Sequence, residues 1–151
     1  MGNRVLELRI PSVLGFEKVA MDFAASVARI MKCPEERVED LRTAVAEACI
    51  NAIEHGNSGD EDARVTIRLI ANESTLRVEV EDQGEGVAHP PTPDIEEKIS
   101  GKEPTRGWGV FLMEKLMDGV EYAVNPNGGN VVRLKVCLSK PGEDPSSRQV
   151  Q

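Results

Sequence analysis

Residues Arg64 to Ile70 (RVTIRLI) and Thr75 to Val80 (TLRVEV) both alternate apolar with polar side chains, and Asn72-Glu73-Ser74 lies between them. A period of two belongs to a strand with one buried face, and a short polar turn between two such runs makes a hairpin. The chain is therefore committed to an antiparallel sheet with an apolar face to cover. The cover must come from segments with a different period.

Two such segments precede the hairpin. Phe16, Val19, Phe23, Val27 and Ile30 recur at steps of three and four and define one face of a first helix, with Ser12 available as its cap. Pro34 ends that helix and opens the next. The second helix runs from about Glu35 to His55. Its stripe of Val38, Leu41, Val45, Ala48 and Ala52 falls within an arc of roughly 80°, and Gly56-Asn57-Ser58-Gly59 stops it. Before both lies a short strand, Arg4 to Ile10, ended by Pro11.

After the hairpin comes a long loop rich in Gly, Pro and acid, from Asp82 to about Thr105, with the length of a functional lid. A short apolar helix follows from Val110 to Met117. Val120 to Val124 and Asn130 to Leu138 form a last hairpin around Asn125-Pro126-Asn127-Gly128-Gly129. Ser139 to Gln151 reads as a flexible C-terminal tail. The order β-α-α-β-β-loop-α-β-β predicts an α+β fold: a two-layer sandwich with a mixed, mostly antiparallel sheet. One domain over residues 1–138 accounts for the chain.

Composition narrows the function. At 151 residues the chain can bury a core without disulfides or a structural metal. The net charge of −8 is the opposite of what direct nucleic-acid binding needs. Cys33, Cys49 and Cys137 match no zinc or redox spacing and read as reduced thiols, which points to the cytoplasm. The N-terminus has no signal-peptide core, and no apolar run is long enough to span a membrane.

Three segments carry residues suited to chemistry. Glu47 and Asn51 are four apart, on one face of the second helix at the border of its apolar stripe. A carboxylate there can accept a proton, and an amide oxygen can ligate Mg²⁺. Asp82-Gln83-Gly84-Glu85-Gly86 follows a strand directly. Its glycines permit close approach of a ligand, and its aspartate can accept a hydrogen bond from an exocyclic amine such as that of adenine. Arg106-Gly107-Trp108-Gly109-Val110 opens a helix, where amide N–H groups and the helix dipole favour phosphate. Taken singly, each is as easily a polar helix face, an acidic turn or a glycine hinge. Their joint order is far more specific.

The run Glu47-Ala-Cys-Ile-Asn51-Ala-Ile-Glu-His55-Gly56 resembles the N-box of the GHKL, or Bergerat-fold, ATPase and kinase superfamily. Asp82 to Gly86 and Arg106 to Met113 resemble its two glycine boxes. The small size and the run GWGVFLMEKLMDGV (residues 107–120) are most similar to the bacterial anti-sigma-factor serine kinases. The resemblance covers roughly residues 5–138 and implies helices on one face of the sheet.

It also implies roles. Glu47 matches the general base that activates a serine hydroxyl, and Asn51 the Mg²⁺ ligand. Asp82 matches the adenine-reading carboxylate, with Gly84 and Gly86 shaping that pocket. Gly107 and Gly109 match the phosphate loop. Trp108 lies between them, against the loop or the nucleotide. Arg106 stands where several relatives carry a basic residue near the terminal phosphate, a position that varies. His55 is read as the finish of the helix and His89 as part of the lid.

The resemblance thus implies ATP and Mg²⁺ as cofactors. It implies a cytoplasmic homodimer whose partners are a sigma factor and a STAS-type anti-sigma-factor antagonist, the latter being phosphorylated. The first strand and helix are the expected dimer and partner surface, with Phe16 and Phe23 in the core. Two alternatives stay open: a switch kinase acting on a stress-signalling scaffold protein, and an ATP-binding module that sequesters a regulator without phosphorylating it.

Overall fold

The computed structural model describes residues 3–84 and 108–138. Its elements are β1 (Arg4–Pro11), α1 (Glu17–Ile30), α2 (Glu35–Asn51), β2 (Arg64–Ala71), β3 (Thr75–Glu81), α3 (Trp108–Leu116), β4 (Gly119–Val124) and β5 (Asn130–Cys137). The expected lid beyond Gly84 and the expected tail from Ser139 lie outside the described residues.

The strands form one sheet in the order β1-β2-β3-β5-β4. The α+β two-layer sandwich is thus the architecture, and all four pairings among the described strands are antiparallel. Asn72 closes the β2–β3 turn: its Oδ1 accepts from Ser74 N at 2.9 Å and Thr75 N at 2.8 Å. That is the side chain mimicking a backbone turn, and it sets the hairpin register.

One sheet face is buried under the helices. Val65, Ile67, Leu69, Leu76, Val78, Val80, Leu134 and Val136 all point into it. At about 25 cal/mol per Å² of apolar area removed from water, this shared core dominates the stability. The opposite face is polar and self-paired. Arg68 donates to Glu7 (3.0 Å) and Glu81 (3.1 Å), and Arg133 donates to Glu79 (2.9 Å). The bond from Arg68 is the main reason the Glu7 carboxyl titrates below its ordinary range.

α2 and the turn after it bury the stripe read from the sequence, widened by Ala44 and Cys49. α1 departs from expectation. Its core face is Ala20, Ala24, Ala25, Val27 and Ala28, whereas Phe16, Val19 and Ile30 are 42%, 48% and 74% exposed. Phe23 is half-buried against the core. The alanine face lies about 120° around the helix from the stripe of larger residues, and small side chains let α1 approach α2 closely. Phe16 is therefore a surface residue, not a core one. Ser12 does not cap α1 either. It is buried, and its hydroxyl accepts a hydrogen bond from Asn57.

The expected helix to His55 is interrupted. Regular α-helix ends at Asn51, and Ala52–Gly56 forms one wider π-helical turn. It is closed by Asn57 N donating to Ala52 O at 2.7 Å, a span of five residues. Single π-turns of this kind are frequent at functional sites.

Candidate functional site

The wide turn at the end of α2 brings the first two candidate segments together. Gly56 packs directly on the side chain of Asp82: a Cβ at 56 would overlap its Oδ2 and lie 2.9 Å from its Cβ. Gly84 packs in turn on the backbone of Gly56, where a Cβ would overlap the carbonyl oxygen. Two loops meet here backbone to backbone, which only glycine permits.

Asp82 is 6% exposed. Its Oδ1 accepts from Gly84 N (3.0 Å), Asn130 N (3.0 Å) and Asn130 Nδ2 (3.3 Å). Its Oδ2 has one long contact, to Asn130 Nδ2 at 3.4 Å. An ionised carboxylate offers about four lone-pair sites, so one oxygen is anchored and the other retains capacity for a ligand amine. The β4–β5 turn forms the far wall. Gly129, at φ +90°, presses on the backbone of Asp82, where a side chain would collide with the carbonyl.

The third segment reaches the first. Trp108 opens α3, and Gly109 in its first turn lies on Glu47. A Cβ at 109 would overlap Oε2 of Glu47 and come within 3.2 Å of its Cδ. Glu47 is half-buried, and its Oε2 is shut off from solvent. Asn51, one turn further, is the half-buried last residue of α2. Glu85, Gly86, Arg106 and Gly107 lie outside the described residues, as does the side chain of Trp108.

The far end of α3 is also tied to α2. Arg37 donates to Leu116 O (2.8 Å), Asp40 (2.7 Å) and Asp118 (3.0 Å), satisfying a carbonyl at the helix C-terminus. Asp118 Oδ2 also accepts from Cys137 N at 2.7 Å. α3 is thus pinned at one end by a glycine contact and at the other by an arginine.

One nearby group is excluded from chemistry. Cys49 is buried, and that burial, with a smaller contribution from Glu17, pushes its thiol up to about 12. It is protonated and inert at neutral pH. His55 is exposed in the π-turn, where its carbonyl accepts from Ser58 Oγ at 3.3 Å.

Sequence reasoning missed Asn57, Gly129 and Asn130 as parts of this site, and placed Gly56 at the end of the N-box-like run without a task. Asn57 had been read only as a helix stop. Gly129 and Asn130 had been read only as a hairpin turn and a strand start. Nothing local marks them, because their partners are 26 and 48 residues away.

Four similarities bear on the arrangement. The serine-protein kinase RsbW of Bacillus pumilus (strain SAFR-032) is 30% identical, over 93% of this chain and 90% of that protein. The anti-sigma F factor of Geobacillus stearothermophilus is 35% identical, over 74% of this chain and 77% of that one. Among solved structures, the RsbU and RsbW domains of a Mycobacterium tuberculosis protein superpose with a TM-score of 0.65 at 17% identity. That match covers 91% of this chain and 32% of that one, and it speaks to the fold alone. The family model described as the histidine kinase-like ATPase domain matches residues 15–136, a span holding the helix-borne carboxylate, the buried aspartate and the glycine-opened helix. The chain belongs to that family of ATP-using domains.

Proposed function

We propose that this protein is an ATP-dependent protein-serine kinase of the anti-sigma type, which binds a sigma factor and phosphorylates its antagonist. The observation that carries the reading is the convergence of Glu47, Asp82 and the head of α3 around the end of α2. The names of the relatives, serine-protein kinase and anti-sigma F factor, support the kinase and the partner together.

Each residue has a task in this reading. Asp82 Oδ2 accepts the exocyclic amine of adenine, while Oδ1 holds the carboxylate in place. Gly84 and Gly56 keep the pocket floor free of side chains, and Gly86 extends it. Gly107, Trp108 and Gly109 bring the N-terminus of α3 to the phosphates, and Arg106 adds charge near the terminal phosphate. Asn51 supplies an oxygen to Mg²⁺, which when bound neutralises charge on the phosphates. Among the described residues no group of three or more His, Cys, Asp or Glu could hold a metal. That suits Mg²⁺, which is bound by few protein oxygens and largely by phosphate and water. Glu47 accepts the proton of the serine hydroxyl as its oxygen attacks the terminal phosphorus, and ADP leaves. Phosphoryl transfer asks mainly for such positioning and charge neutralisation.

We also assign the protein to a cytoplasmic homodimer. No helix among the described residues is long and apolar enough to cross a membrane. The exposed Leu6, Leu14, Phe16, Val19 and Ile30 give β1, α1 and the loop between them an apolar surface suited to a second copy.

The test is label transfer from radiolabelled ATP and Mg²⁺ to candidate antagonist proteins. Transfer to serine that falls by about 10²-fold or more in Glu47→Ala supports the kinase. ATP binding without transfer leaves the sequestering module, and transfer only to a scaffold protein leaves the stress-switch variant. Absence of ATP binding overturns the reading.

A further inference from the structure

Asn57 is 5% exposed, and every polar atom of its side chain is used. Its Nδ2 donates to Ser12 Oγ at 3.0 Å and to Arg64 O at 3.1 Å. Its Oδ1 accepts from Gln83 N at 2.7 Å. Its own amide closes the π-turn after Asn51, and its carbonyl accepts from Asp60 N at 2.9 Å. Gln83 strengthens the same junction, because its Oε1 accepts from Arg64 N at 2.7 Å.

The two ends of this amide serve different purposes. The nitrogen end is fixed to scaffold: the β1–α1 corner and the start of β2. The oxygen end holds the peptide between Asp82 and Gly84, the segment that carries the buried carboxylate. The residue itself is fixed to the end of α2, one turn and a half beyond Asn51. The distance from the helix of Glu47 and Asn51 to the carboxylate of Asp82 is therefore set by this side chain together with the glycine contacts of Gly56 and Gly84.

We propose that Asn57 is a positioning residue for the nucleotide pocket, holding the Asp82–Gly84 loop in register with the end of α2 so that Asp82 meets the purine amine. The inference rests on the reading of Asp82 as the adenine-binding carboxylate. It makes Asn57 a determinant of nucleotide affinity and of the preference for adenine over guanine. It gives Asn57 little part in the transfer step, since Glu47 is on the other side of the π-turn.

Three substitutions separate this role from ordinary buried-polar stability. Asn57→Ala removes both ends of the amide. Asn57→Asp keeps an acceptor for Gln83 N–H and loses the donors. Ser12→Ala removes one scaffold bond and leaves the loop bond intact. The experiment measures ATP and GTP dissociation constants, KM for ATP, kcat at saturating ATP and thermal midpoints on the full chain. Wild-type binding of ATP is established first, and its absence sinks the underlying reading before any variant is compared. Given that binding, Asn57→Ala is expected to raise Kd and KM for ATP at least about tenfold, narrow the ATP/GTP ratio and leave kcat within about threefold. Asn57→Asp and Ser12→Ala are expected to melt earlier yet bind ATP within about threefold of wild type. Wild-type affinity in Asn57→Ala overturns the proposal. So does a tenfold loss in Asn57→Asp or Ser12→Ala, a comparison that stands even where Asn57→Ala does not fold.

Discussion

Gly109 lies against Glu47 so closely that a Cβ at 109 would fall on the carboxylate, 3.2 Å from Cδ. One contact therefore fixes both the head of α3 and the side chain proposed as the base. In a helix, Gly→Ala ordinarily gains about 1 kcal/mol. At 109 the methyl instead displaces Glu47. Gly109→Ala is expected to lower kcat for phosphoryl transfer by about tenfold or more, since misplacement by about 1 Å can cost 10²-fold. Steady-state kinetics beside a melting curve checks this; unchanged kcat separates Gly109 from the base.

Asp82→Asn replaces an acceptor-only group with one that also donates, facing N–H groups from Gly84 and Asn130. ATP affinity is expected to fall by about 1–3 kcal/mol, the cost of mispairing a buried polar group. Titration calorimetry with ATP measures it.

Gly56→Ala approaches the same carboxylate from the side of α2. The added methyl overlaps Asp82 Oδ2, and overpacking of this kind costs about 1–3 kcal/mol. Weakened ATP binding and a lowered thermal midpoint are expected together. Wild-type affinity in this variant would remove Gly56 from the pocket floor.

Val19 is 48% exposed in the middle of the apolar side of α1. Val19→Asp is expected to turn a dimer into a monomer in sedimentation while leaving the melting profile of the monomer cooperative. A parent protein that sediments as a monomer at all concentrations removes the dimer assignment.

Alkaline stability follows from one buried group, Cys49, and one half-buried group, Tyr122. Burial raises the Cys49 thiol from 9.0 to about 12 and the Tyr122 phenol from 10.0 to about 12. Below pH 9 the thiol is protonated in both folded and unfolded chains. Above it, the unfolded chain ionises while the folded one does not, so stability falls as pH rises toward 12. Tyr122 adds to the fall above pH 10 for the same reason. Cys49→Ala is expected to flatten the first part of that decline, read from urea midpoints between about pH 8 and about pH 11.

The strands and α2 were legible because each has one buried face and a clean period. Val65, Ile67 and Leu69 could be read directly from alternation. α1 was misread because it carries two apolar stripes, and the sequence does not say that alanines face the core while Phe16 and Val19 face out. The close approach of α1 to α2 decides it. Glu47, Asn51 and Asp82 were visible as residue types in motifs. Asn57, Gly129 and Asn130 were not, because their importance is a matter of tertiary contact: a carbonyl, an amide or a carboxylate brought from a distant strand. Helix periodicity could not show that α2 ends in a wider turn.

That wider turn is, in evolutionary terms, one residue more than an α-helix needs over the same path. Deleting a single codon between Asn51 and Gly56 would restore regular i→i+4 bonding and give a helix with better local geometry. Keeping every residue in regular bonding would instead carry everything after the turn about 100° further round the axis. Glu47 would keep its place on α2, while Gly56 and Asn57 would swing away from Asp82 and Gln83. Contacts outside the helix therefore hold its end irregular: Asp82 and Gln83 fix where Gly56 and Asn57 must lie, and the extra residue is taken up in the turn.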